Sequence, residues 1–161
     1  MWHDPGMSHP RDEVEATVER YVDLRERIES GANTWLDLAA FFTDDVVYID
    51  PAWGRVQGID AVREFLVESM TGLEDWRFPI QLTAIDGDDV IVKWAQVLPS
   101  GHRQSGWTHL VYAGNGKFRF EEDNLNMVHV LEDLKASGWR PGPGFNMPPA
   151  TPDRDFSVPE S

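Results

Sequence analysis

Apolar positions in the first half of the chain repeat at the three- and four-residue spacing of amphipathic helices. One such stripe, followed by Gly31 as a stop signal, predicts a helix over roughly residues 11–30, with Val14, Val18, Tyr21, Leu24 and Ile28 on its apolar face. A second stripe, after the favourable N-cap Asn33, predicts a short helix with Trp35, Leu38, Ala39 and Phe42. A third, capped by Asp60 and ending near Gly72, contains Val62, Phe65, Leu66 and Met70.

After Trp76 the pattern changes to apolar runs of strand length, separated by turn-forming segments. These turns lie at residues 86–88, 99–101 and 114–116, and they predict a four-strand antiparallel meander. An earlier strand is predicted over Val46 to Asp50, and a fourth short helix over Met127 to Ser137. Helices that come first and strands that follow indicate an α+β fold with the helices on one face of a curved sheet.

The length of 161 residues suits one domain, which we place at residues 11–137. Residues 1–10 form an N-terminal extension, and residues 138–161 form a tail whose density of proline excludes regular structure. The tail is either a flexible terminus or, through Trp139, Phe145 and Phe156, a segment that packs against a neighbour.

The amino-acid composition disfavours several classes of function. The 41% of hydrophobic residues indicates a packed globule, and the net charge of -14 disfavours binding to nucleic acid or anionic membranes. A polar start and the lack of an apolar stretch of about 20 residues predict a cytoplasmic protein without a membrane span. The chain has no cysteine, which excludes thiol nucleophiles, disulfides and cysteine metal sites. We expect no metal and no other cofactor, because the histidines are scattered; those outside the late strands are His3, His9, His102 and His129.

Candidate chemistry begins at Tyr48 and Asp50, which are two residues apart on a predicted strand and therefore share one face of the sheet. On a concave face Asp50 would be a carboxylate in a dry cavity, able to act as a base. The alternative is a solvated aspartate in the turn before Pro51. Farther along, strand alternation does not decide whether Glu121 and Asp123 or Glu122 faces inward.

The sequence also resembles a known protein family. The segment Asp44 to Pro51, the glycines Gly54 and Gly58, and the helix start at residues 61–65 resemble SnoaL-like proteins of the nuclear transport factor 2-like superfamily. The resemblance covers about residues 11–137. It implies a cone-shaped roll, in which a curved, mostly antiparallel sheet is wrapped by three to four helices around an internal pocket. Members include isomerases, cyclases, epoxide hydrolases and non-catalytic binders, so the fold alone does not fix the chemistry.

The resemblance to ketosteroid isomerases implies roles for particular residues. Asp50 of the Asp-Pro pair matches the catalytic base, and Tyr21 of Arg20-Tyr21 matches a tyrosine that stabilises an enolate oxygen. The late-strand aspartate of those enzymes is replaced here by His109, which can still donate a hydrogen bond to an oxyanion. Each of the three can instead be structural, Tyr21 as a core residue and His109 as a sheet histidine.

Two other relatives offer alternatives. Tyr48-x-Asp50 and Asp123 resemble the water-orienting residues of limonene-type epoxide hydrolases, but the Arg-x-Asp that those enzymes use as acid has no counterpart in residues 90–94. In SnoaL-type polyketide cyclases a late-strand aspartate is the base, a role that Asp123 would fill.

The leading expectation is an isomerase- or cyclase-like enzyme that acts by proton transfer on an apolar carbonyl compound. Asp50 would be the base, with Asp123 as the other carboxylate, Tyr21, Tyr48 and His109 as donors, and a ligand-binding wall of Tyr48, Trp53, Phe65, Trp94 and Trp107. The rival is a non-catalytic module that binds a small ligand in the same pocket. A third possibility is an interaction protein that dimerises through its sheet. A homodimer is expected in any case, because apolar residues occur on both faces of the late strands.

Overall fold

Helices precede most of the sheet along the chain, as the apolar pattern predicts. The computed structural model describes residues 8–160, so His3 and most of the predicted N-terminal extension lie outside the described residues. The helices are α1 (Arg11–Glu29), a 3-10 helix (Trp35–Phe41), α2 (Ile59–Glu68) and α3 (Met127–Ser137). The strands are β1 (Phe42–Asp50), β2 (Gly54–Gln57), β3 (Ile80–Asp86), β4 (Asp89–Val97), β5 (Arg103–Gly114) and β6 (Lys117–Asn124).

The strands form one curved, unclosed sheet in the order β2-β1-β6-β5-β4-β3. The last four make the predicted antiparallel meander, while β1 pairs with β6 in parallel. The predicted α+β fold with a mostly antiparallel sheet is therefore confirmed. Because β1, β6 and β4 all run in the same direction, their C-terminal ends, with Asp50, Asn124 and Val97, meet at one edge of the sheet.

Helix starts differ from the predicted caps by one or two residues. The 3-10 helix is capped by Thr34, which forms a capping box with Asp37, and Asn33 donates its side-chain amide to that same Asp37. At α2 the cap is Gly58, whose φ of +88° suits glycine, and Asp60 lies in the first turn instead. Acidic side chains in a first turn still favour the helix through its dipole.

The main core lies between the helices and the concave face of the sheet, where Val14, Tyr21, Leu38, Val62 and Leu110 are buried. A smaller cluster lies on the outer face and consists of Val47, Ile49, Val111 and Phe120. Alternate residues of β1 and β5 therefore supply two separate apolar layers.

The segment after α3 lacks helix and strand but is bonded along its length to the domain. The backbone N–H of Gly142 donates to the carbonyl of Gly72, and that of Arg55 donates to the carbonyl of Asp153, both at 2.9 Å. Farther along, the Arg119 guanidinium donates to the carbonyl of Pro159. Of the two alternatives for the tail, the structure shows the packed one, and the neighbour is the chain's own domain.

Candidate functional site

A cavity of about 320 Å³ lies between the concave face of the sheet, α2, α3 and the tail. Its volume falls within the range of small-molecule sites. The wall is mainly apolar, and six of the residues predicted for the site lie on it: Tyr48, Asp50, Trp53, Phe65, Trp94 and Asp123. The structure therefore brings the two candidate carboxylates, Asp50 and Asp123, to the same cavity.

Asp50 ends β1, and its carboxylate is fixed by the turn that follows. The backbone N–H groups of Ala52 and Trp53 both donate to Oδ1, each at 2.8 Å. Oδ2 accepts no hydrogen bond from the described residues, and Asp50 lies on the cavity wall. Loss of hydration raises the pKa of Asp50 from about 3.8 to about 6, and the negative charge of Asp123 adds to the rise, while the two N–H groups oppose it.

Asp123, on β6, is the centre of a hydrogen-bonded chain that crosses the sheet. Its Oδ2 accepts from the Tyr48 hydroxyl and its Oδ1 from the Thr108 hydroxyl, both at 2.6 Å. Thr108 in turn accepts from the indole N–H of Trp94 at 2.9 Å. The strand register explains the contact, because Thr108 and Asp123 are paired residues on β5 and β6. Burial raises the pKa of Asp123, and burial together with the charge of Asp123 raises the pKa of Tyr48.

The Trp94 indole fits against β5 because the residue there is a glycine. A Cβ at Gly106, which is paired with Trp94 across the two strands, would overlap the six-membered ring. This glycine therefore allows the tryptophan to lie flat on the strand and reach Thr108.

A second polar group lies behind the cavity wall. Tyr21 does not reach the wall; its hydroxyl donates to Oε1 of the buried Glu121 at 3.3 Å and accepts from Arg25 at 3.2 Å. Arg25 also donates to the carbonyl of Phe78 at 3.2 Å. Burial, reinforced by the charge of Asp123, raises the pKa of Glu121 well above its ordinary value, which favours its neutral form. Tyr21 thus supports the wall from behind, where the sequence suggested a donor inside the pocket.

Two predicted site residues, His109 and Trp107, lie on the outer face of the sheet. The His109 ring is 2.7 Å from Oδ1 of Asp89 and packs edge-on against Phe120 of the outer cluster. Trp107 is 44% exposed. Because strand residues alternate between faces, Thr108 and Leu110 take the inward positions, so His109 is not a donor in the cavity and Trp107 is not part of its wall.

The tail supplies a wall that the sequence did not predict. Phe145, Met147 and Pro148 line the cavity beside α2 and α3. Trp139 anchors the segment by packing edge-on against Trp76 and by donating its indole N–H to Asp75 at 3.0 Å. The aromatic residues within the proline-rich segment were the signal that this part of the chain is packed.

Three further residues of the site escaped the sequence analysis. Arg25 is four residues after Tyr21 on the same face of α1, and Thr108 and Gln96 occupy inward positions on β5 and β4. Periodicity places each of them on a buried face. A polar residue at a buried position indicates a hydrogen-bonded or ligand-binding side chain, because buried polar side chains need a partner.

A wider and more open depression of about 490 Å³ lies on the other side of the wall formed by Trp35, Leu66 and Trp76. Its acidic residues Glu29 and Glu74 each accept a backbone N–H, from Phe78 and Gly72 respectively. Asp50 and Asp123, whose pKa values are raised, both line the first cavity, which is therefore the candidate active site.

Within residues 8–160, no cluster of three or more histidine and acidic residues could hold a metal ion. The same part of the chain contains no helix with the length and apolar character needed to cross a membrane.

Comparison with known proteins agrees with this fold. A family model described as the SnoaL-like domain matches residues 18–125. No curated protein matches the sequence at a significant level.

Several solved structures share the fold. A protein named as a SnoaL-like polyketide cyclase from Jannaschia sp. CCS1 has a TM-score of 0.61 at 19% identity, covering 84% of this chain and 98% of its own. A protein named as a ketosteroid isomerase from Kribbella flavida DSM 17836 has a TM-score of 0.55 at 22% identity, covering 89% and 95%. TerC, crystallised with polyporic acid, has a TM-score of 0.56 at 21% identity, covering 76% and 98%. At these identities the likeness concerns the fold.

Proposed function

The chain belongs to the SnoaL-like domain family, and on that premise we propose that it is an enzyme that transfers a proton within a small, largely apolar carbonyl compound. The reaction is an isomerisation or a cyclisation, and Asp50 is the base. Relatives in fold that are named as a polyketide cyclase and a ketosteroid isomerase support this class of reaction. Because fold does not determine chemistry, the proposal rests on the site.

The observation that carries the proposal is the environment of Asp50. Its pKa of about 6 leaves the carboxylate ionised at neutral pH and more basic than an ordinary aspartate. Oδ1 is fixed by two N–H groups, so Oδ2 is the oxygen that would take a proton from a carbon next to the ligand's carbonyl. The C–H electrons then move into an enolate, whose negative charge accumulates on the oxygen.

Tyr48 is the candidate donor to that oxygen. Its hydroxyl lies on the cavity wall and donates to Asp123 at 2.6 Å. When Asp123 is protonated, the direction of this bond reverses: Asp123 donates to the Tyr48 oxygen, and the Tyr48 hydrogen turns to the enolate. The raised pKa of Asp123 favours this arrangement, in which burial, the largest cause of the rise, still keeps the pKa of Asp50 above its ordinary value. A donor aimed at developing charge in a dry site contributes a large part of catalysis.

The enolate has two outcomes. In an isomerase, Asp50 returns its proton to a different carbon of the same ligand. In a cyclase, the enolate carbon forms a bond to a second carbonyl carbon of the ligand, and that carbonyl's oxygen takes up the proton. In either case the protein supplies the base, the donor and the exclusion of water.

The test begins with a thermal-shift screen of apolar ketones, polyketides and sterols, followed by turnover assays on the compounds that bind. Asp50→Asn keeps the side-chain volume and the acceptor for both N–H groups but cannot take a proton. It should lower turnover by about a hundredfold or more with little change in affinity. Asp44→Asn, on the exposed part of the same strand, is the control and should change neither.

Two results would count against the proposal. Full activity in Asp50→Asn would show that Asp50 is not the base, and Asp123 would become the first candidate. Binding without turnover in the parent protein would favour the non-catalytic binding module.

A further inference from the structure

A buried amide on the cavity wall has an unused hydrogen-bond donor. Gln96, on β4, is fully buried at 0% exposure and lines the cavity. Its Oε1 accepts from the side-chain amide of Gln104 at 2.9 Å, whereas its Nε2 has no partner among the described residues. A buried donor without an acceptor destabilises a fold, so its retention indicates that something supplies the acceptor.

The orientation of this amide is fixed by its neighbours. The Gln104 amide nitrogen also contacts the backbone carbonyl of Asn126 at 3.3 Å. A carbonyl only accepts hydrogen bonds, so Gln104 must direct its NH₂ group towards Asn126 and Gln96. Gln96 must then direct its oxygen towards Gln104, which leaves its own NH₂ group on the other side. The unpaired donor is therefore a consequence of the network and not of an arbitrary choice between amide oxygen and nitrogen.

We propose that Gln96 binds the ligand, donating from Nε2 to an oxygen atom at the end of the ligand remote from Asp50. The α3 side chains on the cavity wall, those of Met127, Val130 and Leu134, are apolar, and no described residue accepts a hydrogen bond from Nε2 of Gln96, so this donor is free for an oxygen atom of a ligand. The inference rests on the proposed function only for the location of the reacting end; the donor and its burial stand independently.

The position of Gln96 limits the shape of the ligand. In the sheet, β4 is three strands from β1, which corresponds to about 14 Å across neighbouring strands, and the curvature of the sheet shortens the direct path. A ligand that reaches both residues is elongated, with one oxygen near Tyr48 and Asp50 and a second roughly 10 Å away. The substrate class is therefore an extended, mainly apolar compound with oxygen functions at both ends.

The test uses pairs of compounds that differ only in the distant oxygen, such as androstenedione and its analogue without the ketone of the five-membered ring, or hydroxyflavone and flavone. Binding is measured by calorimetry on the Asp50→Asn variant, which keeps the cavity and separates this test from turnover. The member with both oxygens should bind about three to ten times more tightly in at least one pair. Gln96→Leu should abolish that preference, and Gln81→Leu, at an exposed position on β3, should keep it.

The stability of the ligand-free variants gives an independent readout. Gln96→Leu and the unbranched Gln96→Met remove the unpaired donor and also the acceptor of the Gln104 amide, which keeps its contact with the carbonyl of Asn126. These two effects oppose each other, so the melting temperature should change little. A fall of more than about 5 °C in both variants would assign Gln96 a structural role and overturn the proposal. Two binding results would also overturn the proposal. One is that no compound with the distant oxygen binds more tightly than its partner, which includes the case in which none of them binds. The other is that Gln96→Leu keeps the preference for the compound with both oxygens.

Discussion

Asp50 combines a fixed turn geometry with a place on the wall of an apolar cavity. In an ordinary solvated turn the two backbone N–H groups alone would lower the pKa of an aspartate. Here loss of hydration dominates and raises the pKa to about 6. The energetic cost of this arrangement should therefore be measurable in the ligand-free protein.

The sign of that effect follows from proton binding. The folded pKa of about 6 lies above the ordinary value of 3.8, so the folded state binds more protons than the unfolded state between these two values. Stability contributed by Asp50 is thus complete below about pH 4 and is lost as the pH rises through about 6. Asp50→Asn removes this dependence. The free energy of unfolding of the variant, relative to that of the parent, should increase by on the order of 2 kcal/mol between pH 4 and pH 8.

Urea unfolding of both proteins across this range measures the difference directly. Asp44→Asn, at an exposed position on the same strand, is the matched control. A difference for Asp50→Asn that stays constant with pH would mean that Asp50 is hydrated in the folded protein.

For single residues, the sequence predicted which side chains suit the chemistry of the site better than it predicted which face of the sheet they occupy. Tyr48 and Asp50, two apart on a strand, and Asp123 all reach the cavity. His109 was matched to the family's aspartate position, but it lies on the outer face and Thr108 takes the inward position. A shift by one residue along a strand reverses the face, and a single sequence does not fix that register.

Among the elements, the tail makes the largest contribution that sequence patterns missed. Its residues 145–148 form one side of the cavity, and Trp139 and Asn146 bind it to the loop after α2 and to α2 itself. Irregular backbone has no periodicity from which its buried positions can be predicted. The short strand β2 was missed for a similar reason, since four residues are too few for an alternating pattern.

Phe145→Ala tests whether the tail is part of the ligand site. Removing the ring takes apolar surface away from the cavity wall, so a ligand that fills the cavity should bind about tenfold more weakly. Phe156→Ala is the matched control, because Phe156 belongs to the same tail but is 62% exposed. Calorimetric titration of both variants compares them. Equal affinities would show that the ligand does not contact the tail.

For the whole molecule, we propose a homodimer that forms through the outer face of the sheet. Leu82 is 48% exposed and Trp107 is 44% exposed, and both are large apolar side chains on strands of this sheet. A partner that covers the sheet would bury both. Light scattering at micromolar concentration should give twice the mass of 18.3 kDa. The mass of a monomer would contradict the proposal.

The fold class and most of its helices and strands could be predicted because several of the apolar segments end at clear stop signals. Gly31, the turn at residues 99–101 and the turn at residues 114–116 separate elements whose periods differ, so local preference and tertiary packing agree. The convergence of Asp50 and Asp123 could not be predicted. It depends on the parallel pairing of β1 with β6, a contact between segments more than 70 residues apart.

Exchange of carbon-bound hydrogen in D₂O reports directly on proton abstraction by Asp50. A ketone found to bind is incubated with the parent protein, Asp50→Asn and Asp44→Asn at a pD well above 6, and deuterium uptake next to the carbonyl is followed by mass spectrometry. The parent and Asp44→Asn should accelerate uptake, and Asp50→Asn should lose about a hundredfold or more of that acceleration. Equal acceleration by the parent and Asp50→Asn, or none by the parent while the ketone is bound, would contradict the assignment of Asp50 as the base.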